Sequence, residues 1–451
     1  MNEISENDSE NNSEITTYDD VRATAIRILN RFERSDSYLE KLLAAEMLDF
    51  SGKDAKLLAD IIHGVLRWQV RLDWILNGFY RGEFDRCITP VKNAMRTALF
   101  QMLFLKHTDP LEAIAASSAT VARIKGEQPA SMVRNVLRNI LRHINSIRYP
   151  SYEDDIYWYY AVMYSHPRWM VKRWTERFGE AETTLLLKAN NRNAAALLRP
   201  NLRLISPDEL QRQLESQDVS VAPSKLCKGM LTISNYVPAQ VPAGYEHGLF
   251  DIIDPASAMS IQFAERFADA SIIALGSRSG SAALALAENN NVLVIDAFRD
   301  KLNPIVRSAK RLGVRLGTTG CDLHAQQSEK EADLAVFHTP CSELGALADR
   351  PDMKWKRNAD DTADFARKQQ GYIEKVARMV KPGGTLQYIT RSFEPEETSE
   401  IAARFLEHRP DFRLEPAENH LPQSVCANGF LFMLPQRHGA GVFGAQFIRC
   451  E

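Results

Sequence analysis

The feature that most constrains the fold lies in the second half of the chain. From about residue 251, short apolar runs alternate with helical ones. "ASIIALGS" (270–277), "NVLVIDAF" (291–298), "ADLAVFHT" (332–339) and "GTLQYITR" (384–391) have the length and β-branched content of buried strands. Between them "SAALALAEN" (281–289), "LNPIVRSAKRLG" (302–313) and "FARKQQGYIEKVARMV" (365–380) have the period of helices. Parallel strands need crossovers of about a dozen residues, so this alternation predicts a doubly wound, mostly parallel sheet. In such a sheet ligands bind beyond the carboxyl ends of the strands.

Residues 21–145 read as helix almost throughout. In "VRATAIRILNRFE" Val21, Ala25, Ile28 and Leu29 share a face, and Pro90 opens the run "PVKNAMRTALFQMLFL" at a helix's first turn. The last helix, "PASMVRNVLRNILRHI", carries Arg134, Arg138 and Arg142 at four-residue spacing, one guanidinium per turn along one face. That spacing suits a ladder of phosphates, or equally a solvated charged stripe. Residues 146–250 are mixed and proline-punctuated, as expected of a small α/β linking domain.

The net charge of −3 does not by itself suggest a nucleic-acid partner. The first twenty residues hold seven acids and no Lys or Arg, whereas residues 21–150 hold 20 Lys/Arg against 13 Asp/Glu, a local +7. The expectation is a disordered acidic tail (1–20) ahead of a basic domain. Six cysteines without CxxC spacing argue against structural zinc and a disulfide framework, and no apolar run suggests a leader or a membrane span. The expected setting is cytoplasmic, with a monomer as the default.

Four regions at the predicted strand ends are candidates for chemistry. "ALGSRSGSAALAL" is a small-residue loop opening a helix; Gly276 and Gly280 would let a ligand approach the backbone. Asp296, twenty residues after Gly276, is placed to accept from ribose hydroxyls, and Asp322 in "GTTGCDLHA" to face an adenine amino group. In "VFHTPCSELG" Cys341 is expected as an exposed thiol, with His338 three residues earlier able to set its ionisation. Arg391 stands between Thr390 and Ser392 at the end of the last strand.

The layout resembles the Sun/Fmu-type ribosomal-RNA small-subunit cytosine-C5 methyltransferases over nearly everything after the acidic stretch. "DIIHGVLR" (60–67), "AMRTALFQMLFL" (94–105) and "VRNVLRNI" (133–140) resemble a NusB-type RNA-binding domain, and "YSHPRW" and "LRPN" resemble the family's linker. "FHTPCS" (337–342), "RPDMKW" (350–355), "VKPGGTLQYITRS" (380–392) and "PEE" (395–397) follow the family's order and spacing. The resemblance implies a multidomain α plus α/β chain: a NusB-like domain at 21–145, a linking domain at 146–250 and a Rossmann-like methyltransferase domain at 251–451. It also implies S-adenosylmethionine as cofactor and small-subunit ribosomal RNA as partner.

The family's chemistry adds a cysteine to cytosine C6, which makes C5 nucleophilic toward the methyl sulfonium. In the family that cysteine lies in a Thr-Cys-Ser string, which here reads "TRS" and puts Arg391 at its position. A guanidinium stays protonated and offers no usable lone pair. The family's ring-contacting acid corresponds to His338, its loop acid to Ala274, its second loop glycine to Ser281 and its loop lysine to Ala282. The expectation is therefore an RNA-binding relative with lost or altered catalysis, in which Arg391 meets RNA or pairs with an acid. The alternatives are an active methyltransferase using Cys341 with help from His338, and an assembly factor working through the helical domain.

Overall fold

The computed structural model describes residues 7–193, 196–233, 241–276, 279–321 and 331–451, with side chains from Val21 onward except at Leu48. The chain divides into two compact units. The first holds residues up to Asn191 together with Arg350–Lys356, and the second holds Arg192–Tyr236, Val241–Asp349 and Arg357–Glu451.

The first unit is helical: α1 (Asn7–Arg34), α2 (Leu39–Glu46), α3 (Gly52–Phe79), α4 (Thr89–Phe104), α5 (Pro110–Lys125), α6 (Glu127–Arg142), α7 (Ile156–Met163) and α8 (Arg168–Asn190). Its core gathers the apolar faces of α1 and α3 to α6, including Val21, Ile28, Leu58, Ile62, Leu99, Val133 and Ile140. Capping follows the sequence: Asp109 accepts from the Leu111 amide ahead of Pro110. The acidic stretch expected to be disordered is helical from Asn7, because α1 runs through it without a break. Residues 350–356 fold back into this unit. The Lys354 ammonium is fully buried and donates to the Arg67 and Ser165 carbonyls at 3.2 and 2.9 Å and to Asn191 Oδ1 at 2.9 Å.

The second unit starts with a small antiparallel sheet of β1 (Ala196–Pro200), β2 (Val221–Pro223), β3 (Leu231–Ile233) and β4 (Phe250–Ile253), in the order β2-β3-β1-β4. The helix α9 (Pro207–Glu215) starts from a Ser206/Glu209 capping box and packs Leu210 and Leu214 into that sheet's core. Next come α10 (Pro255–Phe263), β5 (Ser271–Leu275), α11 (Ser281–Leu286), β6 (Asn291–Asp296), α12 (Arg299–Leu312), β7 (Gly317–Gly320) and β8 (Ala332–His338). The chain continues through α13 (Asp361–Ala377), β9 (Val380–Thr390), α14 (Ser399–His408), β10 (Phe412–Glu415), β11 (Cys426–Ala427), β12 (Phe430–Met433) and β13 (Val442–Arg449).

These strands form one sheet. β7-β6-β5-β8-β9 are parallel, β13 joins β9 antiparallel, and β12, β11 and β10 extend that edge. All four strands expected from the alternation are present in this sheet, with the expected helices between them. The central strands β5 and β8 are apolar on both faces because helices cover both sides; in β8 Leu334, Ala335, Val336 and Phe337 are all buried.

Candidate functional site

The parallel strands deliver His338 (end of β8), Arg391 (after β9), Asp296 (end of β6) and Gly276 (after β5) to one end of the sheet. β4 leads into α10, where Asp254 is the cap residue ahead of Pro255. Its carboxylate accepts from the Ala256 and Ser257 amides at 2.9 and 3.1 Å and from Ser257 Oγ at 2.6 Å.

Arg391 is held by acids. Its side chain is only 17% exposed, and its Nη2 donates to Asp349 Oδ2 at 2.9 Å. Burial works against the charge, but Asp254, Asp349 and Glu343 outweigh it and keep the guanidinium pKa well above its ordinary value. Burial likewise opposes ionisation of Asp254. The Arg391 charge, the Ser257 hydrogen bond and His338 prevail there, holding the carboxyl below its usual range. Of the two sequence expectations for Arg391, its described contacts are the pairing with an acid.

His338 does not set the ionisation of Cys341. Its Nε2 faces Ser260 Oγ at 3.1 Å, a hydroxyl that also accepts from Gln387 Nε2 at 2.8 Å. Burial drives its pKa down to about 4, with Asp254 opposing and Arg391 adding to the fall, so the ring is neutral near pH 7.

The expectation of an exposed thiol at Cys341 is corrected: the side chain is buried. Burial, with Glu397 and Glu343 nearby, pushes the thiol up to about 12. Glu397, itself fully buried, organises the loops around the thiol. It accepts from the Ser342 amide at 2.8 Å, from the Ser342 and Ser392 hydroxyls, and from Gln369 Nε2 at 3.0 Å. The loops after β8 and β9 are thereby drawn together over the thiol, and Gly345 N donating to the Arg391 carbonyl at 3.0 Å closes the arrangement.

Both glycines of the small-residue loop have positive φ. Gly276 has φ +69°, and a Cβ there would stand 2.2 Å from the His338 carbonyl oxygen. Gly280, at φ +73°, would drive a Cβ into the Ile305 side chain. Ser281, the first residue of α11, hydrogen-bonds Asp251, whose carboxylate also pairs with Arg311 at 2.6 Å. Asp296 is half-buried and accepts the Phe298 amide at 2.9 Å. Asp322 lies outside the described residues.

A methyl-donor nucleoside has two halves, and these residues fit them unequally. Asp296 stands at a strand end where a carboxylate can take ribose hydroxyls. On the other side of the small-residue loop, Ala274 and Ala282 offer no polar group and are closed into the core. Asp251, which Ser281 contacts, is committed to Arg311.

The comparisons agree with this architecture. Residues 260–448 match the 16S rRNA methyltransferase RsmB/F model, 19–142 the NusB family, and 166–240 the ferredoxin-like domain of RsmF/B-like methyltransferases. The chain thus carries an RsmB/F methyltransferase domain behind a NusB domain. The probable ribosomal RNA small subunit methyltransferase B of Bacillus subtilis is 26% identical over 454 residues, covering 94% of this chain and 97% of that protein. Ribosomal RNA small subunit methyltransferase B of Vibrio cholerae is 26% identical over 441 residues, covering 93% and 98%. Among solved structures, PH0851 superposes with a TM-score of 0.78 at 20% identity, over 94% of this chain and 98% of that one. NSun6 from Pyrococcus horikoshii with SFG gives 0.55 at 17% identity, over 63% and 98%. These two establish the fold.

In this RsmB/F-type domain, sequence reasoning missed Asp254, Asp349, Glu343 and Glu397 as members of the strand-end cluster. A signal existed for two of them. "DP" ahead of an apolar run marks a helix cap, and "PEE" had been matched as a family string without a role. The arginines of α6 lie on its outer side: Val133, Val136, Leu137 and Ile140 face the core, Arg138 and Arg142 are exposed, and Arg134 pairs with Glu127. No helix of the described residues is long and apolar enough to cross a membrane.

Proposed function

We propose that this chain is an RNA-binding member of the RsmB/F family that does not carry out the family's covalent cytosine-C5 methylation. The observation that supports this most strongly is the state of the strand-end cluster. Where the family's nucleophile would stand is Arg391, enclosed by Asp349, Asp254 and Glu343. The adjacent thiol, Cys341, is buried and held protonated far above neutral pH. Attack on C6 requires a thiolate within reach of the base, and neither residue supplies one.

RNA is the partner this reading assigns, with small-subunit ribosomal RNA as the target class, in keeping with the names of the relatives. The exposed Arg138 and Arg142 on α6 supply phosphate contacts. For S-adenosylmethionine the reading is nucleoside-half recognition through Asp296, Gly276 and Gly280, with the amino-acid half unsupported at Ala274 and Ala282. The second enzyme reading, with Cys341 as nucleophile and His338 as its base, is disfavoured. The thiol is buried and the imidazole is engaged with Ser260.

The test is a covalent trap. The full chain is incubated with S-adenosylmethionine and small-subunit RNA carrying 5-fluorocytidine, which arrests a C6 thioether adduct. The expected outcome is RNA retention under native conditions and no adduct after denaturation. An adduct that vanishes in Cys341→Ser would overturn the proposal.

A further inference from the structure

A second cation-rich region lies away from the strand-end cluster, on the outer face of α12. Residues 299–315 hold six Lys/Arg and one acid, Asp300. Leu302, Ile305, Ala309 and Leu312 turn inward to the core. At 100° per residue, Arg299, Asn303, Arg307 and Lys310 then share the opposite face, and all four are exposed. Arg311 turns away to Asp251. Arg299, Lys301, Arg307, Lys310 and Arg315 form no ion pair with any described residue. This differs from an ordinary charged helix face, where acids at i+3 or i+4 compensate the cations.

The same face begins with an exposed aromatic. Phe298 is 64% exposed, immediately before α12, with Lys301 Nζ 4.8 Å from its ring centroid. A ring left in water beside unpaired cations is the composition of a single-strand binding surface, where bases stack on the ring and phosphates meet the cations. A membrane does not fit. The apolar side of α12 is already buried in the core, leaving Phe298 and Val306 as separate exposed apolar residues rather than an insertable face.

We propose that the outer face of α12 binds single-stranded RNA, with Arg299, Arg307 and Lys310 on successive phosphates and Phe298 stacked on a base. The proposal rests on the RNA-binding reading above and adds to it a surface in the second unit. Arg299 to Lys310 spans about 16 Å of helix axis, enough for several phosphates.

The test uses the full chain and a fluorescein-labelled, unstructured RNA of about twelve nucleotides, followed by anisotropy between about 50 and 200 mM salt. In the triple variant Arg299→Ala, Arg307→Ala, Lys310→Ala, the slope of log K against log salt falls by about 2. Phe298→Ala weakens binding roughly 5-fold or more with the slope unchanged. Exchange to Arg299→Lys, Arg307→Lys and Lys310→Arg keeps the slope. A triple alanine variant with the wild-type slope and affinity overturns the α12 surface alone. A wild-type chain that binds no RNA overturns both the surface and the function it rests on, as does a chain that binds only phosphatidylserine vesicles.

Discussion

Arg391 and Arg307 carry the same group, and the second unit treats them in opposite ways. Arg391 is largely buried at the strand ends, with Asp349 at hydrogen-bond distance and Asp254 and Glu343 close enough to raise its pKa. Arg307 stands in solvent on α12 with Arg299 and Lys310 and no described acid to meet it. A buried, fully paired cation is part of the architecture, because its charge is spent on neighbours that would otherwise be unpaired. An exposed, unpaired one is available to a partner. On the proposed reading, Arg391 serves the architecture of the strand ends, and the charge offered to RNA lies on helix faces.

The sharpest way to break this contrast is at the carboxylate that ties the strand-end loops together. Glu397→Ala strands the Ser342 and Ser392 hydroxyls, the Ser342 amide and the Gln369 amide in the interior. It is expected to cost about 4 kcal/mol of unfolding free energy, read from the urea midpoint. Arg391→Met removes the main counter-charge of the half-buried Asp254, and a loss of about 2 kcal/mol is expected, because its remaining hydrogen bonds from Ala256 and Ser257 replace that charge only in part. If Arg391→Met is instead neutral in the same titration, Arg391 is not structural and the contrast fails.

His338 gives a pH signature. Its folded pKa is about 4 against an ordinary value of 6.5, so between these values the unfolded chain binds the proton and the folded chain does not. Stability therefore falls as pH drops through that window, by about 2 kcal/mol after discounting for partial exposure. His338→Gln should remove that part of the slope in melts from pH 7 to pH 4. The smallest effect is on the helical unit. Arg138→Ala with Arg142→Ala should lower the RNA salt slope by about 1 and leave the melting temperature unchanged.

Much of the architecture was legible because it rests on local pattern. Apolar runs separated by helical ones specify the parallel sheet, and α6 shows its inner and outer faces in its spacing alone. The site was legible in its identities and not in its contacts. That the resemblance sets Arg391 at the family's cysteine position is visible in the string "TRS". That it is enclosed depends on Asp254 and Asp349, which the topology brings together from distant segments. Cys341 looked exposed because a Pro-Cys-Ser turn usually is; Glu397, reaching back to Ser342, pulls that turn inward.

The central claim is that the fold of a methyltransferase is kept here without its covalent chemistry. It is tested most directly by incubating the full chain with methyl-labelled S-adenosylmethionine and small-subunit ribosomal RNA and counting label at cytosine C5. The account predicts RNA bound in a salt-dependent manner with no label transferred; label at C5 that is lost in Cys341→Ser would contradict it.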